Sequence, residues 1–457
     1  MENYIFNMDL FEKDFIKGGI FNHKTNNIFK LFPYTASTSD KGLSSFDSII
    51  GSFVRAIFDL KDSSGIDYEK VISATYNYVS ITSEEEKNAF GDIVKRVYFD
   101  ENGFLNANSL LTFEFSKNSN NENKISSFLV SVFCEQETIA NVINECKKRN
   151  SNLLDKLIID ALPSLPKNTD KIEYYNINKN IKSLFTEDIC FLLKRGTFIQ
   201  SEITDLLSYY YFHYISQTIL CLDKQLYEKN NYNEELYFCL TWEKTSKNRK
   251  CYNFGWRKIE RLLDSMFTHA VLLDMLNHFC FEKMYCYEDI YQLYSNSDSE
   301  IRKQLFDQVL ELKQRYENEY IKENVFLNQT IENGDFAALI RAFHESIKHQ
   351  FLNTVRKRAN DAYKKSFTDF SRNNFLQNRK RNGLMLALDE ERIILLTKVI
   401  LKTEKRMKLN DLIKGFELRG VYFDNTSREA LILFYDKLGL IEKKSDSGDA
   451  KYVKGIL

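Results

Sequence analysis

Proline runs out early in this chain. Pro33, Pro163 and Pro166 are its three prolines, and none follows from there to residue 457. Glycine is scarce as well, 16 in 457. Proline breaks a helix because it lacks the amide donor and its ring clashes with the preceding turn, while a sandwich of many short strands needs both residue types at its turns. Long helices tolerate such a composition, so the expectation is a mainly α chain.

At this length two or three domains are expected. An apolar content of 43% and an aromatic content of 14% are enough to build cores and exclude general disorder. The net charge of −1 excludes a chain that is basic throughout, so any contact with nucleic acid must come from local patches. The eight cysteines (134, 146, 190, 221, 239, 251, 280 and 286) include no C-x-x-C pair and lie among Phe, Tyr and Leu, as buried free thiols do. The first residues lack the basic start and apolar stretch of a signal peptide, and no apolar run is long enough to span a bilayer. A reducing cytoplasm fits these features.

Three segments are expected. Residues 1–162 form a mainly helical N-terminal domain with minor strand, Leu110–Phe115 being the candidate strand and Lys117–Lys124 a polar loop. The Pro163–Asn168 stretch marks the boundary to a helical middle domain, 163–383. There Ile301, Leu305, Val309, Leu312, Tyr316 and Tyr320 make one apolar stripe, with Arg302, Lys303, Glu311 and Lys313 facing water and loops at 228–233 and 295–299.

Residues 384–457 carry the clearest local order. Ile393–Ile400 is a buried first helix with Asp389 near its start, and Met407–Leu409 is a short strand. Leu409, Leu412, Ile413 and Phe416 line a second helix that Gly420 stops. Thr426 and Glu429 form a capping box for a third, with Ala430, Leu431, Phe434 and Leu438 as its buried face. The Ser445–Asp449 knot then sits between two strand-compatible segments, with Gly448 free to take the positive φ of a hairpin turn. Helices followed by a hairpin wing make a winged-helix-like module on a multi-helical body.

On these residues the C-terminal segment resembles the DptG family of bacterial DNA phosphorothioation-dependent restriction systems. The likeness runs over Leu418-Arg419-Gly420-Val421-Tyr422-Phe423-Asp424, through Asn425 to Leu440, and over Glu442 to Val453, where Lys444-Ser445-Asp446-Ser447-Gly448-Asp449-Ala450 is the specific part. A looser likeness covers Leu240 to Ser246, Arg249-Lys250 and Gly255-Trp256. The resemblance implies a subunit of a module that attacks DNA lacking a sulfur mark on its phosphates, assembled with two partners, DptF and DptH, that carry the nucleotide-hydrolysing motifs. It brings no catalytic residues.

The chain's own residues agree with a non-catalytic part. No G-x-x-x-x-G-K-[ST] occurs, so no phosphate-cradling loop and no cofactor are expected. His269, His278, Cys280 and Cys286 fit no common zinc spacing and lie in an apolar stretch that favours core packing. Among 64 acidic residues, pairs that could hold a nuclease metal arise by chance.

The main basic segment spans 356–381. It sets Arg356, Lys357, Arg358, Lys364, Lys365, Arg372, Arg379, Lys380 and Arg381 against only Asp361 and Asp369, with Phe367, Phe370 and Phe375 among them. Duplex DNA phosphates would take such a surface. A solvated helix face, or one that docks an acidic partner, is the plainer account. Arg428 on the third helix and Lys443 and Lys444 on the wing complete the candidate DNA contacts, although Glu429, Asp436 and Glu442 offset them. A second basic run from Trp242 to Lys258 holds Lys244, Lys247, Arg249, Lys250, Arg257 and Lys258 with both tryptophans; it suits stacking on unpaired bases, or a tryptophan-anchored core beside a loop. The expected function is a non-catalytic subunit that contacts DNA through basic surface. The alternatives are a pure assembly protein, a nuclease with an unrecognised metal site, or a winged-helix transcription regulator.

Overall fold

A computed structural model describes residues 6–18, 20–36, 46–61, 67–100, 103–104, 114–149, 153–195, 200–225, 234–279, 283–320, 331, 334–443 and 451–456. The chain is mainly helical, with small sheets of two or three strands. None of the described helices is long and apolar enough to cross a membrane.

Helices α1 (Met8–Phe15), α2 (Ile49–Ile57) and α3 (Asn120–Phe133) lie in the N-terminal part. The start of α3 corrects the expected loop at 117–124, because Asn120–Lys124 form its first turns. Ser119 and Glu122 make a capping box there, so the polar run is a helix cap. Residues 110–113 of the candidate strand lie outside the described residues, and Glu114 and Phe115 are in a turn. The buried Arg55 of α2 donates to the carbonyls of Glu114 and Ser116 at 2.7 and 2.9 Å, which fixes that turn.

The proline segment is held along one side by residues 59–61, with Leu60 bridging Lys167. Lys61 donates its amide to the Pro166 carbonyl at 2.9 Å, and Asn168 donates to Asp59 at 2.6 Å. Beyond it come α4 (Ile181–Lys194) and α5 (Gln200–Asp223). Helix α5 is buried on every side from Leu206 to Leu222, so it is a central rod with no solvent stripe. Helix α6 (Met266–Leu276) is likewise enclosed. One apolar cluster runs from Phe11 to Val453 and crosses both expected segment boundaries.

Helix α7 (Ser299–Tyr320) buries Leu305, Val309, Leu312, Tyr316 and Tyr320 as its stripe requires, and Arg302, Lys303 and Glu311 are exposed. Lys313 departs from expectation. It is buried, with its ammonium 2.7 Å from Glu317. The break at 295–299 reduces to Ser297 and Asp298 between two helices, and the 228–233 loop lies outside the described residues. Helices α8 (Phe336–Asn353) and α9 (Lys357–Asn374) pack around α6.

A three-stranded sheet then joins the middle to the end of the chain. Strand β3 (Leu384–Leu388) lies between β1 (Cys239–Leu240), to which it is parallel, and β2 (Leu376–Asn378), to which it is antiparallel. After it come α10 (Glu390–Leu401), β4 (Arg406–Lys408), α11 (Leu409–Leu418), α12 (Asn425–Lys437), β5 (Ile441–Lys443) and β6 (Lys451–Lys454). Strand β6 is central, with Val453 opposite Met407 on β4 and Ile441 on β5. Helix, strand, two helices and a returning hairpin make the winged-helix arrangement. Asp389 caps α10, accepting from the Arg392 amide at 2.8 Å. The cap of α12 is Asp424, which accepts from Ser427 at 3.0 Å, and not the expected Thr426. Tyr435 rather than Leu438 completes the buried face of α12; Leu438 is 49% exposed. The wing's turn, with Gly448, lies outside the described residues.

Gly420 ends α11 with φ +79°, and a Cβ there would run into the His213 imidazole of α5. Gly420→Ala therefore combines left-handed backbone strain with overpacking. A destabilisation of roughly 3 kcal/mol is expected, read as a lower urea midpoint; an unchanged midpoint would show that α5 and α11 do not touch.

Candidate nucleic-acid interface

The fold divides the expected DNA contacts into committed and free groups. Arg356 precedes α9 and donates to the Phe21 carbonyl at 3.2 Å. Lys364 pairs with Asp264 and Asp361. Arg379 turns inward and donates to the carbonyls of Leu240 at 2.7 Å and Glu243 at 3.0 Å. Arg428 is partly exposed but bound to Glu417 at 2.9 Å and to the Phe423 carbonyl at 3.2 Å. Lys365 is exposed and paired with Asp369. Lys357, Arg358, Arg372, Lys380 and Arg381 face solvent. Lys443 ends β5 opposite Lys451, and Lys444 lies outside the described residues.

Two parts of the expected patch are thereby corrected. Phe367, Phe370 and Phe375 are core residues, with Phe375 stacked on Phe212 at 4.5 Å, so none is available to a base. Along α9 the outward stripe reads Arg358, Asp361, Lys365, Asp369 and Arg372. Charges of alternating sign at helical spacing make a solvated face with little net field.

The second basic run is also reordered. Trp256 is buried. Trp242 is 37% exposed, its ring resting on Phe434 of α12 with centroids 4.8 Å apart. Arg249 is structural. It reaches Asp424 at 2.6 Å, Glu243 at 3.0 Å and the Ser427 hydroxyl at 2.7 Å. Burial pushes the Asp424 carboxyl up, but the hydrogen bonds and charge of Arg249 outweigh it and hold the carboxyl below its usual range. Lys250 lies against Tyr237, Arg257 over the Tyr252 ring, and Lys258 against Glu234.

These ties bring together segments distant in sequence. Arg379, and Asn382 donating to the Thr245 carbonyl at 3.1 Å, clip the β2–β3 turn onto the 241–249 loop. Arg249 clips that loop to the start of α12. One edge therefore carries exposed Lys380 and Arg381 from the turn and exposed Lys244 and Lys247 from the loop, with Trp242 on the α12 side. Exposed Glu390 and Glu391 begin α10 just beyond Leu388, whose carbonyl accepts from Thr241, and they limit the patch on that flank. Charge counts along the sequence could not have found this edge, because Arg379 and Arg249 commit their charge to assembling it. The outward side of α12 differs in character, presenting Glu429, Asp436 and Leu433, which is 63% exposed.

The remaining candidates sit in the core. His269 bonds the Tyr287 hydroxyl at 3.0 Å, His278 lies 2.8 Å from the Asp274 carbonyl and 3.2 Å from Asp14, and Cys286 caps a helix. Cys280 lies outside the described residues. Among the described residues, no three His, Cys, Asp or Glu side chains are grouped to hold a metal ion. No family model matches the chain, and no curated protein sequence does.

Proposed function

We propose that this chain is a non-catalytic subunit of a phosphorothioation-dependent restriction complex, the role implied by its resemblance to the DptG family, and that it touches duplex DNA through the Lys244, Lys247, Lys380 and Arg381 edge. The observation that carries this reading is the meeting of two basic segments beside a winged-helix module, with four exposed cations that make no ion pair among the described residues. Such an edge contacts phosphates and gives affinity without sequence. ATP-driven steps belong to the partners DptF and DptH, and the complex works in the cytoplasm.

The test is a duplex-shift titration over a range of salt. Replacing all four residues by Gln removes about 0.9 from the slope of log affinity against log salt for each phosphate that is no longer neutralised. An unchanged slope overturns the assignment of this edge.

A second reading, a pure assembly protein, is favoured by the outward side of α12. Glu429, Leu433 and Asp436 suit a protein partner better than a phosphate backbone. Leu433→Glu is expected to weaken capture of DptF or DptH at least tenfold while leaving the DNA shift intact. Partner capture by the unmodified chain without any DNA shift selects the second reading.

A further inference from the structure

The loop that carries Lys244 and Lys247 has an exposed aromatic ring at each end. It leaves β1 where the Thr241 amide donates to the Leu388 carbonyl at 3.0 Å, and it comes back to the start of that strand, where the Tyr237 amide donates to the Phe254 carbonyl at 3.0 Å. Trp242 therefore stands at the outgoing end. Phe254, 49% exposed, stands at the returning end, and its neighbour Asn253 donates to the Lys247 carbonyl at 3.2 Å. The bond from Asn382 to Thr245 sets Lys380 and Arg381 beside the middle of this path. The order along the edge is ring, cations, ring. The backbone around Trp242 is also fixed, because the Leu240 amide donates to the Glu243 carboxylate at 3.1 Å and Arg379 holds the Glu243 carbonyl. Phe434 supports the indole from α12. A duplex offers this path its phosphates, but its bases are paired and stacked inside, so the rings gain nothing from it. An apolar protein surface would cover the rings and leave the four cations without countercharge. An unpaired strand satisfies both, since bare bases stack on aromatic side chains while their phosphates meet the cations.

We propose that this edge takes an unpaired DNA strand beside a duplex: bases stack on Trp242 and Phe254, and phosphates lie against Lys244, Lys247, Lys380 and Arg381. The inference rests on the DNA-binding reading of the edge and names its substrate class, a junction of single and double strand rather than intact duplex. The loop is already held at both ends, so little ordering of the backbone opposes binding.

The experiment titrates the full chain, at one salt concentration, with a blunt duplex and with a duplex of equal phosphate number that ends in an oligothymidine overhang. Of the chain's 2 tryptophans Trp256 is buried, so quenching of indole fluorescence reports on Trp242. The expected result is about tenfold tighter binding of the overhang ligand, with quenching that the blunt duplex does not produce. Trp242→Leu combined with Phe254→Ala is expected to bring the overhang ligand down to the affinity of the blunt duplex, which the cations set. Equal affinity for the two ligands, tighter overhang binding without quenching, or a preference that survives the double variant overturns the inference while the edge stands. Binding of neither ligand by the unmodified chain overturns the DNA reading as well. Trp242 packs on Phe434, and should the variant fail to fold, the affinity ratio and quenching of the unmodified chain decide the question.

Discussion

Asp188→Ala is expected to destabilise the chain by about 3–5 kcal/mol, because it strands a buried guanidinium. Asp188 on α4 and Arg419 at the end of α11 have side-chain exposures of 0% and 5%. The pair is bidentate, with Nε to Oδ2 at 2.7 Å and Nη2 to Oδ1 at 2.5 Å. Tyr210 of α5 donates to the same carboxylate at 2.7 Å, and Tyr209 donates to the Arg419 carbonyl. Without the carboxylate, Arg419 keeps backbone acceptors at Gly415 and Val399 but no countercharge. The double variant Asp188→Leu with Arg419→Met should recover most of the stability, since apolar groups of similar volume replace a buried pair at little cost. Urea midpoints followed by fluorescence give the comparison. If Asp188→Ala keeps the midpoint of the unmodified chain, the winged-helix module is not anchored through this pair. Through Tyr209 and Tyr210 the same pair also ties the winged-helix module to the central helix α5.

The sequence revealed the C-terminal module well because its signals are local. The stripe Leu412, Ile413 and Phe416, the stop at Gly420 and the strand expected at 407–409 and found one residue earlier, at 406–408, each follow from a few neighbouring residues. Where reading failed, a distant partner decided. Asp424 is drawn into capping α12 while Arg249, some 175 positions away, holds its other oxygen. Lys313 lies on the charged side of its helix pattern but finds Glu317 in a buried position. Strand β1 has two residues and exists only because β3 lies beside it.

The candidate interface was legible as composition and not as geometry. Counting charges put Arg356, Lys364 and Arg379 among the phosphate contacts, yet each satisfies a carbonyl or carboxylate within the fold. Substituting them in a binding assay would therefore report unfolding as well as weaker affinity. Long basic side chains carry fixed donors, and only the packed structure tells which donors are already used.

Acid is expected to loosen the fold well before the ordinary carboxylates titrate. Burial lowers His213 to about 4, and burial together with the nearby Arg356 charge lowers His23 to about 3. His23 is held by the Tyr316 hydroxyl at 2.8 Å, and His213 stacks on Tyr209. Both imidazoles are neutral in the folded chain, whereas in the unfolded chain they protonate near pH 6.5. Below that value the unfolded state binds protons that the fold refuses. Stability is therefore full above about pH 6.5 and falls as pH drops, until the folded-state values of about 4 and 3 are passed. Across these windows His213 accounts for on the order of 3 kcal/mol and His23 for on the order of 5 kcal/mol. Asp205 and Asp274, pushed up by burial, work in the opposite sense by taking up protons in the folded chain. Variants separate the two contributions. Urea midpoints between about pH 7.5 and 5 should fall steadily for the unmodified chain, and His213→Gln should reduce the slope by about one proton. A flat profile in the unmodified chain would mean that these imidazoles reach water, and with it that α5 does not pack against Gly420.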